Sequence, residues 1–212
     1  MTDWDALPPS FYDMTRAQRR AYLAQFLLEM PASAERLARV LEQVDADPGL
    51  ARQTSPDSLG PIWAAILGSV PLTWSADYIP RVPPEWKPVR KATLEAWGDL
   101  TQLPSWAPRE RLHYLYFSPD TLWIIDMLAR HMGQVFLANW PGLGWMAGPA
   151  NPSSNLDRNQ PVIGRRTTWF NPIRPVSILV ARQISGEPIV DQPADLRELY
   201  ERWAVHIANW EP

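Results

Sequence analysis

The chain has no cysteine. That removes a disulfide framework, a thiolate nucleophile and any zinc site built on Cys, and makes a reducing, cytoplasmic setting the simplest expectation. Only three histidines occur in 212 residues, so acid–base or metal chemistry has few places to sit. No apolar run approaches the roughly 18 residues of a membrane-spanning helix. The start, MTDWDALPPS, places acidic residues and prolines where an export signal needs a basic stretch followed by an apolar one. Positive charge is not in excess either, since 20 Lys and Arg stand against 23 Asp and Glu for a net charge of −3. The basic residues form no stripe able to track phosphates, so a nucleic-acid ligand is not expected.

What the chain does contain is apolar mass and stiffness. Hydrophobic residues make up 46% and charged residues 20%, the balance of a folded globular protein rather than a disordered one. The length fits one domain over residues 1–212 with one sizeable core. Proline and tryptophan are unusually common, at 23 and 12 residues. Proline at about twice its average usage implies many rigid connections, and so many Trp rings imply large amphipathic anchors in a core or an interface.

Two stretches, SPDSLGPIW from Ser55 and SPDTLWIID from Ser118, are nearly the same. Ser caps an orphan N–H, Pro has no N–H to satisfy, and Asp complements the helix dipole, so both read as helix starts rather than as a repeated functional motif. After Ser55, residues Leu59, Ile62, Trp63 and Ile66 recur at helical spacing; after Ser118, residues Leu122, Ile125, Leu128, Met132 and Phe136 do the same, to about Asn139. Upstream, Thr15 and Gln18 match a capping box for a first helix that Pro31 should end, and a second helix is expected from about Ala34 to Val44. Short connections make these first helices antiparallel neighbours.

Between residues 71 and 108 lies a Pro/Trp-rich insertion, with YIPRVPPEWKPV read as extended and a short helix from about Lys91 to Leu100. Beyond Asn139, the apolar pieces PGLGWMAG, NQPVIG and TTWF are bounded by Gly, Pro and Asn and read as strands of a small antiparallel sheet. Helical spacing returns after Pro175 and again after Pro193. The fold class is therefore α+β and mainly helical, with N-terminal helices and a central long helix packed with a small antiparallel sheet.

Candidate chemistry is sparse. Glu110 and His113 have the spacing of half a carboxylate–histidine metal motif, but no second half exists. Asp126 and Arg130 have helical ion-pair spacing and, with His131, read as a solvated polar strip; His206 reads as a packing histidine. PGLGWMAGPA lacks the Lys of a P-loop and the setting of a dinucleotide fingerprint, and no G-x-S-x-G elbow occurs. No cofactor or metal is expected.

Two segments suit binding instead. The Pro/Trp insertion would hold Trp86, Trp97 and Trp106 on a stiff backbone, so that the rings lose little entropy when a partner docks. The loop NPSSNLDRNQPVIGRRTTWFNP gathers Arg158, Arg165 and Arg166 among Asn and Ser, donors suited to an anion or an acidic partner.

The run MGQVFLANWPGLGWMAG, then NQPVIG, then NPIRPVSILVARQISG, resembles a pattern in uncharacterised bacterial proteins, many of them immunity proteins encoded beside polymorphic toxins. Met132-Gly133-Gln134-Val135-Phe136 stands at the helix end of that pattern, Trp145 in its strand, and Gln160-Pro161-Val162 in the next. Gln134 replaces the usual Glu and Met132 the usual aromatic, and the likeness covers about residues 118–186. The resemblance implies a non-catalytic protein that neutralises a toxin by occluding its active site or holding it inactive. The rival expectation is a small-molecule enzyme or ligand-binding protein, with a pocket between the long helix and the sheet lined by Trp140, Trp145 and Trp169 and anchored by Arg165.

Overall fold

The computed structural model describes residues 9–74, 99–109, 117–150, 156–186 and 193–210. Thr15 caps helix α1 (Arg16–Leu28) in a complete capping box, accepting from the Gln18 backbone while the Gln18 side chain accepts from the Thr15 N–H. The chain breaks at Glu29 and re-enters helix at once as α2 (Met30–Gln43). Pro31 therefore opens the second helix rather than ending the first, because its missing N–H costs nothing in a first turn. At the far end of α2, Asp45 takes a left-handed conformation (φ 56°), and Ala46 N–H donates to the Leu41 carbonyl while Asp45 N–H donates to that of Glu42. This pair of hydrogen bonds is a Schellman closure.

The two Ser-Pro-Asp stretches do act as caps, in different ways. Ser118 accepts from the Thr121 N–H and opens α4 (Pro119–Asn139) directly. Ser55 accepts from the Asp57 N–H and opens a single 3₁₀ turn, from which α3 (Leu59–Ser69) follows. Thr73 bonds to Ser118 and Thr121, and Trp74 bridges to Phe117 with their rings stacked at 4.9 Å, which fixes where α4 begins.

Helix α4 is the centre of the molecule. Residues 124–133 are buried without interruption; since a turn takes 3.6 residues, every face of that part of the helix is covered. It packs against α2, against α5 (Ile173–Ser185) and against α6 (Leu196–Ala208). Asn171 accepts from the Ile173 N–H at the start of α5, two residues before the Pro175 start expected from sequence, and Asp195 caps α6 through the Glu198 N–H.

Three strands make one antiparallel sheet in the order β1 (Gly144–Ala147), β2 (Pro161–Arg165), β3 (Thr168–Phe170), with Trp145 opposite Ile163 and Ile163 opposite Phe170. The sheet lies close on α4 because residue 133 is glycine. A Cβ there would stand 2.5 Å from Trp145 Cζ2. On the same face, Phe136 meets Phe170 edge-on at 4.9 Å and Tyr200 stacked at 4.3 Å, joining α4, β3 and α6 through aromatic contacts. The fold is thus the mainly helical α+β arrangement expected from the sequence. The short helix expected over Lys91–Leu100 lies almost wholly outside the described residues; Leu100 itself opens a 3₁₀ turn capped by Asp99.

Candidate functional site

The polar residues of α4 do not form a solvated strip. Asp126, Arg130 and His131 are all buried, because α2 and the segment around Trp106 cover the face that carries them. Arg130 Nε donates to Asp126 at 2.8 Å, its Nη1 to the Phe26 carbonyl at 2.6 Å and its Nη2 to Glu29 at 2.9 Å, while the guanidinium lies 3.8 Å from the centre of the Phe26 ring. Asp126 also accepts from Trp106 Nε1 at 3.0 Å and from Ser33 at 3.3 Å. Glu29 accepts from Ser105 at 3.0 Å, and Ser105 meets the Tyr22 hydroxyl. Desolvation pushes the Asp126 carboxyl up, opposed by the Arg130 charge and by hydrogen bonds from Arg130 and Trp106. Burial likewise raises the Tyr22 hydroxyl.

His131 sits beside this network, with Nε2 3.1 Å from the Ser58 hydroxyl. Burial pushes its pKa down to about 4, against a smaller opposing influence from a hydrogen bond to the Ala51 backbone. The ring is therefore neutral near pH 7, held in place as a wall rather than free to shuttle protons.

Concavities lined by the described residues include two between helices. One, of about 190 Å³, opens between α2, the 3₁₀ turn at Pro48–Arg52 and α4, with Met30, Ala34, Ala51 and Met127 as apolar walls and Arg130 and His131 also lining it. The other, of about 210 Å³, lies between α5 and α6. Leu179, Leu199 and Trp203 give it an apolar floor, and the charged or titratable side chains lining it are Arg182, Arg202 and His206. Ile178 on its edge is 49% exposed, and Val205, one turn on from Arg202, is 64% exposed. Compared with protein-family models, curated proteins and solved structures, the chain matches none.

That geometry redistributes the residues singled out in the sequence. Trp106, expected at a partner-binding surface, is only 1% exposed: a ring of that size goes to the core once a carboxylate is there to take its N–H. Trp86 and Trp97 lie outside the described residues, as do Glu110 and His113. Arg158 and Arg165 are half-buried rather than free on a rim, each with a buried Nε that meets no protein acceptor. Arg165 donates to the Trp210 carbonyl, which ties the β2–β3 hairpin to the chain just after α6. Arg166 is exposed at the hairpin tip with φ 52°.

His206 is exposed, 5.6 Å from the Trp203 ring, and lines the groove instead of packing in the core. Between the long helix and the sheet, where a Trp-lined pocket is expected from the sequence, Trp145 packs directly on Gly133, and Trp140 donates to the Tyr200 hydroxyl at 3.2 Å. Among the described residues no group of three His, Asp or Glu side chains is placed to hold a metal ion, and no helix is long and apolar enough to cross a membrane.

Proposed function

We propose that this protein acts without catalysis, by stoichiometric binding of another protein, and that the partner is a toxin it neutralises. The observation that carries the reading is the α5–α6 groove, an apolar floor with a basic rim on a molecule whose net charge is −3. The buried Asp126 carboxylate is already committed to Arg130, Trp106 and Ser33, whereas Ile178 and Val205 present apolar surface beside Arg182 and Arg202. A groove of this chemistry suits an acidic amphipathic segment of the partner, laid in with its apolar side down and its carboxylates towards the arginines. The toxin assignment itself rests on the resemblance to immunity proteins.

The test is a binding titration against the purified cognate toxin. Ile178→Asp and Arg182→Glu place negative charge against an acidic partner, and each should weaken binding at least about thirtyfold, the loss expected of an interface anchor. Added salt should weaken the wild-type complex mainly through slower association. Unchanged affinity in both variants would reject the groove as the interface, and turnover of a small molecule by the isolated protein would reject the reading.

A further inference from the structure

We propose that the cavity between α2 and α4 is a second, independent site, which binds a small carboxylate carrying a short apolar body. Its size sets the scale. At about 190 Å³ it is slightly larger than the roughly 150 Å³ apolar cavity that admits benzene, so it holds a molecule of about six to eight non-hydrogen atoms. Its walls set the body of the ligand, since Met30, Met127, Ala34 and Ala51 are apolar and the two thioethers adapt to irregular shapes.

The polar groups set the head. A guanidinium has five N–H donors, and Arg130 uses three of them, on Asp126, Phe26 and Glu29. The other two meet no protein acceptor, although the side chain is only 4% exposed and lines the cavity. Buried donors of this kind call for an acceptor. Arg130 already faces two carboxyl groups, Asp126 and Glu29, so the charge of an anion must be met elsewhere. Arg52 at the mouth is exposed and makes no ion pair among the described residues. One such cation suits one carboxylate; a phosphate dianion would leave charge uncompensated against largely apolar walls. His131, neutral and already bonded, contributes shape only.

The experiment is a calorimetric titration of the whole protein with butyrate and valerate, using butyramide as the uncharged isostere, on wild type and on Arg52→Gln and Ala34→Leu. Expected are saturable one-to-one binding of a carboxylate, binding of the amide at least about tenfold weaker, a loss of about fivefold or more in Arg52→Gln at unchanged melting temperature, and no binding in Ala34→Leu, whose side chain fills the cavity. Ile178→Asp in the other groove should leave carboxylate binding intact, so this site and the protein-binding reading fail separately. Absence of saturable binding, as for a cavity that holds only water, overturns the proposal. So does equal affinity for butyramide, or wild-type affinity in Ala34→Leu.

Discussion

At the scale of the residue, His131 shows how position overrides type. An imidazole that would titrate near 6.5 in water is held neutral down to about 4 by burial. The linkage sign follows directly. Between those two values the unfolded chain binds a proton that the folded chain refuses, so the contribution of this group is intact above pH 6.5, falls as pH drops through the window, and is fully lost below about 4. The difference is on the order of 3 kcal/mol. In His131→Gln, which removes the titrating group and keeps a polar atom near Ser58, urea midpoints should fall less steeply between pH 6.5 and 4 than in wild type. Parallel curves would show that the histidine titrates normally in the fold.

At the scale of the element, the two Ser-Pro-Asp starts predict unequal costs. Ser118 caps a 21-residue central helix and is itself bonded to Thr73 and Thr121, whereas Ser55, itself exposed, caps a single 3₁₀ turn. Ser118→Ala should cost about 1–2 kcal/mol in chemical denaturation and Ser55→Ala about 0.5 kcal/mol. Equal losses would contradict this ranking.

These starts were legible in the sequence because a cap is local: Thr15 with Gln18, and Ser118 with Thr121, lie within four residues of one another. The strands around Trp145, Val162 and Trp169 were legible for the same reason, as short apolar pieces between Gly and Pro. The burial of Asp126 and Arg130 was not. Their spacing is visible, but what covers them comes from Phe26, Glu29 and Trp106, which chain order does not place beside them. The α5–α6 groove was hidden likewise: each helix shows one apolar stripe, and only their packing reveals that Ile178 and Val205 stay outside while Arg182, Arg202 and His206 share a rim.

At the scale of the whole molecule, the Asp126–Arg130–Glu29 network joins α4 to the α1–α2 junction and, through Trp106 and Ser105, to the segment before α4. Arg130→Met removes the charge that both carboxylates face, leaving Asp126 buried without its counter-ion, and should cost about 3–5 kcal/mol by urea denaturation. A loss below about 1 kcal/mol would mean that the site is effectively hydrated. The same bonds also bear on time. Arg130 reaches partners 101 and 104 positions away, and Ser105 reaches Glu29 across 76. Such contacts require large loops to close first, and we expect the side-chain bonds themselves to lock only after the folding barrier is crossed. Refolding and unfolding rates of Arg130→Met test this: the refolding rate should stay near its wild-type value and the loss should appear almost entirely as faster unfolding, whereas slower refolding would place the network in the folding nucleus. On that expectation the network is a latch that sets how long a folded molecule lasts, more than how quickly it is made.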